Sequence, residues 1–282
     1  MPNRILYGVL AFLILSYALS FVPHPLQKRA VRSAFMSGTD AASLDVIEIE
    51  GADGKTALYK KNEIWYGESG GAVFPAENAK VLELIQHFIN VRKLYTILDS
   101  NTAIPDKNQA FISILLKNSL NVSTKVDFYG LNFDLARRFI RIEGRDVPYA
   151  IETDCDAFLR ADAGFWIDPY IVPQSTEEGR IRAIDIQSLR AEAGSGRKTL
   201  NAGAPGFSEK ASKLLSLRHG GLAADTEEAP DTLSFSFTVE TGRGFRFRAT
   251  AESGTDGAAS LRFDSFQNTV TGARYEYRYR VS

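Results

Sequence analysis

Cysteine is almost missing from this chain: Cys155 is the only one in 282 residues. A single thiol excludes an intramolecular disulfide, and its distance from the N-terminus excludes lipid attachment just behind a signal sequence. Sparing use of cysteine suits a bacterial envelope protein that does not rely on oxidative stapling. Histidine is scarce too. His24, His87 and His219 are the full set, and no pair has the spacing of a zinc site. No metal and no cofactor is therefore expected. An excess of one charge is also absent, since 33 Lys and Arg offset 34 Asp and Glu for a net charge of −1. With no global field to attract a polyanion, nucleic acid is not an expected partner. Beyond Val22 there is no second long uncharged run.

The first such run is the strongest feature present. Ile5–Val22 holds 18 residues without a charge, directly after Arg4. As a helix they rise ~27 Å, close to the ~30 Å hydrocarbon core of a bilayer. The run outlasts the usual h-region of a secretory signal, so a retained signal-anchor is expected. The alternatives are cleavage after Ala18-Leu19-Ser20 and a buried helix. Lys28, Arg29 and Arg32 follow the segment and oppose export by local charge count, but long domains translocate largely regardless of such flanks. The expectation is one pass through the cytoplasmic (inner) membrane with the C-terminal body extracytoplasmic, in the periplasm.

The organisation expected along the chain is a transmembrane signal-anchor at 1–22, a juxtamembrane linker at 23–43, and two α+β units at 44–174 and 175–282. In the first unit, Val46, Ile47 and Ile49 mark a strand, Asp53-Gly54 a hairpin turn, and Trp65 a later strand. The period then changes. Val81, Leu84, Ile85, Phe88 and Tyr95 fall on one helical stripe opposite Lys80, Glu83, Gln86, His87 and Asn90. Strands resume at Phe111–Leu116, Lys125–Phe128, Phe139–Ile142 and Tyr149–Ile151. The segments 165–167 and 170–172 close this unit.

The second unit restarts the pattern. Ile181–Gln187 echoes Val46–Glu50, Gly196–Leu200 resembles Gly54–Leu58, and Phe207–Leu215 parallels Phe74–Leu82. Ser208 is the expected N-cap and Gly220 the expected glycine after the helix. A four-strand meander follows at Leu233–Val239, Phe245–Ala251, Leu261–Phe266 and Tyr275–Val281. The class predicted is α+β: an N-terminal transmembrane helix, then two related units of antiparallel sheet, each with one covering helix.

Catalytic strings fail on inspection. Gly67-Glu68-Ser69-Gly70-Gly71 looks like a serine-protease nucleophile loop, but the only upstream histidine is His24, beside the anchor. Its ordinary reading is a glycine-rich loop between a strand and a helix. Asp154-Cys155-Asp156 runs on into Ala157-Phe158-Leu159, without the later ligands of a calcium loop. Gly194–Lys198 is a basic glycine turn without a phosphate-loop signature. No catalytic residue is assigned. One patch is a candidate partner-binding face: Arg246, Arg248, Arg262, Arg278 and Arg280 alternate with aromatic or apolar residues. Period two puts the arginines on one side of the last sheet. They could dock an acidic partner or anionic polymer, or form a solvated face that protects the sheet edge.

A further pattern rests on Ile47-Glu48-Ile49, Trp65, Pro75-Ala76-Glu77-Asn78 opening a leucine-rich helix, Phe128-Tyr129-Gly130-Leu131, Phe158–Asp162 and Trp166-Ile167. It resembles a bacterial family of unknown function with an N-terminal membrane helix and repeated β-rich units, often encoded beside gliding-motility-type ABC-2 transporter components. Asn132-Phe133-Asp134 departs from the proline usual there in the family. The resemblance implies a membrane-anchored extracytoplasmic binding or accessory domain working with integral membrane transporter subunits, and it carries no catalytic residues. The alternatives are an envelope hydrolase using carboxylates such as Asp154, Asp156, Asp162 and Asp168, or a structural cell-envelope protein.

Overall fold

The computed structural model of this chain describes residues 30–31 and, between 41 and 282, all except 62–63, 92–93, 97–109, 121, 133–136, 146, 153–154, 175–185, 194–195, 224–232, 242–244, 254–258, 269–271, 273 and 276–277. Ile5–Val22 lies outside the described residues, as do Ile181–Asp185 and Asp154. Among the described residues no helix is long and apolar enough to cross a membrane. Two antiparallel sheets with few helices make the fold α+β.

The first sheet begins with β1 (Ala30–Val31), inside the segment expected as linker. β2 (Leu44–Gly51) and β3 (Gly54–Lys61) form the hairpin that Asp53-Gly54 predicts, with Gly54 at φ 125°. β4 (Ile64–Ser69) and β5 (Ala72–Pro75) make a second hairpin turned by Gly70 and Gly71, at φ 57° and 82°. Positive φ at both central positions is what a type I′ turn demands, and glycine meets it without strain. The rest are β6 (Leu94–Thr96), β7 (Ile112–Asn118), β8 (Ser123–Asn132), β9 (Arg137–Ile142) and β10 (Tyr149–Ile151). The sheet order is β1-β6-β10-β9-β8-β7-β2-β3-β4-β5.

Alternation sets which face is covered. Ile47 and Ile49 of β2, Ile112, Ile114 and Leu116 of β7, and Val126 and Phe128 of β8 are buried, as period-two patterning requires. Helix α1 (Asn78–Asn90) brings Val81, Leu84, Ile85 and Phe88 into the same core, with the Phe88 and Phe128 rings 6.2 Å apart. Each such side chain contributes about 1.5–3 kcal/mol by leaving water. Tyr95 does not belong to this stripe: the helix ends at Asn90 and Tyr95 sits in β6. The segment 165–167 is not a strand. Ala163–Trp166 is one helical turn capped by Asp162, whose carboxylate accepts from Gly164 N at 3.0 Å.

The second sheet contains β11 (Ile186–Ala193), β12 (Gly196–Asn201), β13 (Leu233–Thr241), β14 (Phe245–Ser253), β15 (Ala259–Asn268), β16 (Arg274–Tyr275) and β17 (Arg280–Val281). Its order is β12-β11-β13-β14-β15-β16, with β17 also on β15. The last predicted strand is thus two short ones. Helix α2 (Phe207–Ser216) joins β12 to β13. Gly206 occupies its N-cap in the left-handed region at φ 73°, so Ser208 lies inside the first turn, and Leu217, not a residue beside Gly220, is the C-cap.

Both sheets share a path. In each, the first strand takes a hairpin partner on one side (β3, β12), and after a helix the next meander strand adds on the other side (β7, β13). The units meet where Pro169–Val172 runs beside the end of α2. Ile171 N donates to Leu217 O at 3.0 Å and His219 N to Pro169 O at 3.1 Å, and buried residues of both units form one continuous core.

Candidate functional site

The β11–β12 hairpin fixes one wall of a pocket by register. Leu189 opposes Leu200 and Ala191 opposes Lys198, so these four share a sheet face. Helix α2 supplies the other wall. Lys210, Lys213, Leu214 and Leu217 recur at helical spacing along one stripe. Ile171 of the junction and Leu261 of β15 close the ends. The cavity between them is about 440 Å³, within the size range of small-molecule sites. Its aliphatic side chains are partly exposed, Leu217 by 41%, so apolar surface here faces solvent instead of core.

Most polar residues lining this cavity are cationic, with Thr238 of β13 the neutral one among the described residues. Lys198, Lys210 and Lys213 are exposed at its walls, and among the described residues none has a carboxylate partner. Arg190 also lines the cavity, and its buried Nε has no hydrogen-bond partner among the described residues. The sequence reading missed this site. Its signal was two lysines three apart on an amphipathic helix, which by itself reads as an ordinary solvated face.

The predicted arginine face is only partly open. Arg248 and Arg278 are exposed, Arg246 and Arg262 half-buried, and Arg280 buried. Arg262 and Arg280 are cross-strand partners that converge on Glu252, a carboxylate only 3% exposed, at 2.7 and 3.3 Å. Two of the five arginines thus neutralise an internal charge, which is costly to bury unpaired. The alternate positions Phe247, Phe263 and Tyr279 are buried as period two requires, with Phe263 and Tyr279 stacked at 4.6 Å. Burial pushes the Tyr279 hydroxyl well above the usual range, with the nearby Asp168 charge adding to it.

The other chemistry-bearing residues serve the fold. Ser69 Oγ donates to Lys55 O at 2.9 Å beside the β4–β5 turn, so the glycine string joins two strands, not a strand and a helix. Gly67 is there because a Cβ would strike the Phe74 ring at 2.2 Å. Cys155 is buried. Asp156 accepts from Arg138 Nε at 2.7 Å. Asp168 is buried and accepts from Tyr170 N at 3.1 Å and Gln174 N at 2.9 Å. Glu48 is held below the usual carboxylate range by hydrogen bonds from Lys117 and Lys55. His87 lies against the Phe158 ring at 5.2 Å. His219 Nε2 sits 2.6 Å from Asp168 O, a carbonyl that can only accept, so Nε2 carries the hydrogen. Its buried Nδ1 has no partner among the described residues, and burial lowers the ring's pKa. Among the described residues no group of three or more His, Cys, Asp or Glu is placed to hold a metal.

The fold and site together define an α+β protein of two antiparallel sheets with a lysine-rimmed aliphatic pocket. Comparison with protein-family models, with curated proteins and with solved structures gave no match.

Proposed function

We propose that this chain is a membrane-anchored extracytoplasmic binding or accessory domain. Ile5–Val22 tethers it to the cytoplasmic membrane in a single pass, and the body works in the bacterial envelope beside the integral subunits of an ABC-type transporter. The observation that carries the binding role is the open pocket between α2 and the β11–β12 hairpin, about 440 Å³ and mostly aliphatic. A concave apolar site with a few charged groups at its mouth favours recognition of a ligand. The tether rests on the uncharged run of 18 residues. The shared order of β3-β2-β7-β8-β9-β10 and β12-β11-β13-β14-β15-β16 supports reading the two units as related copies of one structural unit.

Location and partnership are tested together. Buried Cys155 is a poor reporter of sidedness, so Ser119→Cys, at an exposed turn, carries the label. On intact spheroplasts a membrane-impermeant maleimide should label it before lysis, and labelling only after lysis overturns the exported orientation. Gentle solubilisation should co-purify an integral membrane subunit and its ATPase. Recovery of the chain alone in several detergents overturns the transporter assignment.

A further inference from the structure

Resting on that binding role, we infer that the pocket takes a single-chain fatty carboxylate, with the alkyl chain in the aliphatic cavity and the carboxylate at the lysine mouth. Three observations converge on this ligand.

The cavity is apolar where it is deep. Leu189, Leu200, Leu214 and Ile171 are half-buried and remain partly exposed although they pack against the core. Leaving aliphatic surface in water is unfavourable, and an alkyl chain is the simplest group that relieves it.

The volume suits one chain. With a methylene taking roughly the ~30 Å³ share of a water molecule, about 440 Å³ holds on the order of a dozen such groups. That is room for one medium-length chain.

The mouth selects charge. Lys198 stands on β12, and Lys210 and Lys213 stand three apart on α2; all three line the cavity and are exposed, so each wall carries a cation-bearing side chain. Like charges around one opening repel, and an anion among them relieves the repulsion. The acids nearest in sequence do not supply it. Glu192 is paired with Arg197 at 2.9 Å, and neither Glu192 nor Glu209 lines the cavity. A carboxylate at the mouth meets ammonium donors on two sides, in charge-assisted hydrogen bonds of the strong kind. An alcohol of the same chain length gains the burial without the ion pairing, and an alkyl cation is repelled.

Calorimetric titration of the full chain in zwitterionic nanodiscs, with empty discs as the blank, tests the assignment. Octanoate, decanoate and dodecanoate should bind with Kd falling about fourfold per added methylene, the transfer free energy of one CH₂ converted to affinity. Decanoate should bind at least tenfold tighter than decanol or decyltrimethylammonium. The triple variant Lys198→Gln, Lys210→Gln, Lys213→Gln changes only exposed positions, so an unchanged Tm is expected with loss of the decanoate preference and retention of decanol binding. Leu200→Trp, which fills the cavity, should weaken every chain. Equal affinity for decanoate and decanol, or a triple variant with no effect, overturns the carboxylate assignment while leaving a binding pocket in place. Heats no different from empty discs for all three acids overturn the fatty ligand altogether, and the labelling and co-purification experiments judge the anchored role separately.

Discussion

In the first unit α1 turns Val81, Leu84, Ile85 and Phe88 onto the sheet, and all four are buried. In the second, α2 buries Phe207, Ala211 and Leu215, but leaves Leu214 half-buried and Leu217 exposed. The strands share the order β3-β2-β7 and β12-β11-β13, although β6 comes between α1 and β7, so the difference comes from what surrounds the helices. The first unit adds the β4–β5 hairpin and the turn Ala163–Trp166, which bring the fully or nearly fully buried Trp65, Phe74 and Trp166 alongside α1. Ala76 N donates to Trp65 O and Glu77 N to Trp166 O, clamping the helix entrance between them. The described residues of the second unit contain no counterpart of that hairpin, and its helix stands over a cavity. One strand order thus gives a closed core where extra elements seal the helix and an open pocket where the described residues supply none.

The largest expected effect tests that contrast directly. Phe88→Ala should destabilise the protein by about 3–5 kcal/mol, because a fully buried aromatic leaves both transfer energy and a cavity behind. Leu214→Ala should cost about 1 kcal/mol, since its side chain already borders open space. Chemical denaturation of the two variants measures both. Equal losses would break the comparison.

Buried charge gives the next step. Glu252→Gln leaves Arg262 and Arg280 facing a neutral group in a nearly closed environment, and should cost about 3 kcal/mol. The corresponding pair in the first unit, Arg138 with Asp156, keeps the carboxylate 47% exposed. Arg138 itself is only 9% exposed, so Asp156→Asn, with water able to reach one side of the pair, should cost an intermediate amount, about 1–2 kcal/mol. Urea midpoints of the two variants rank them.

Protonation of His219 follows, at the seam between the units. Burial favours its neutral ring, so the folded pKa lies below the unfolded value of about 6.5. The unfolded chain then binds the proton first. Stability from this group is fully present above about pH 6.5 and is lost as pH falls through the folded pKa. The ring is only half-buried, so the slope should stay well under the one-proton ceiling of about 1.4 kcal/mol per pH unit. Thermal unfolding between pH 7.5 and 5.5 should show this decline, and His219→Gln should flatten it.

Much of the architecture was legible because it is written in local periodicity. The strands at Tyr149–Ile151 and within Phe139–Ile142, the Asp53-Gly54 hairpin and the apolar stripe of α1 follow from alternation and turn chemistry alone. What failed was set by context. Phe165 and Trp166 favour strands by type, yet the Asp162 cap and the packing of Trp166 hold that stretch as a helical turn. Ser208 carried the usual N-cap chemistry, but Gly206 could adopt the left-handed backbone two residues earlier. The arginine alternation was visible; that Arg262 and Arg280 meet on Glu252 was not, because it depends on β17 returning to β15. The pocket was the least legible feature. Its walls come from β11, β12, α2 and the junction, and no local pattern announces that the helix covering them leaves space.

The smallest expected change in stability falls on the residue that marks that space. Leu217→Ser alters a side chain 41% exposed at the C-cap of α2, so stability should move by no more than about 0.5 kcal/mol. Its backbone role survives, because the carbonyl accepting from Ile171 N and the amide donating to Leu214 O are unchanged. The effect on decanoate should be disproportionate: the pocket loses aliphatic lining, and affinity should drop several-fold while the unfolding midpoint stays put. Calorimetry beside thermal unfolding reads both quantities on one preparation. A residue of core packing would lose stability and binding together, so a Tm that falls in step with affinity would assign Leu217 to the core and close the distinction between the two helices.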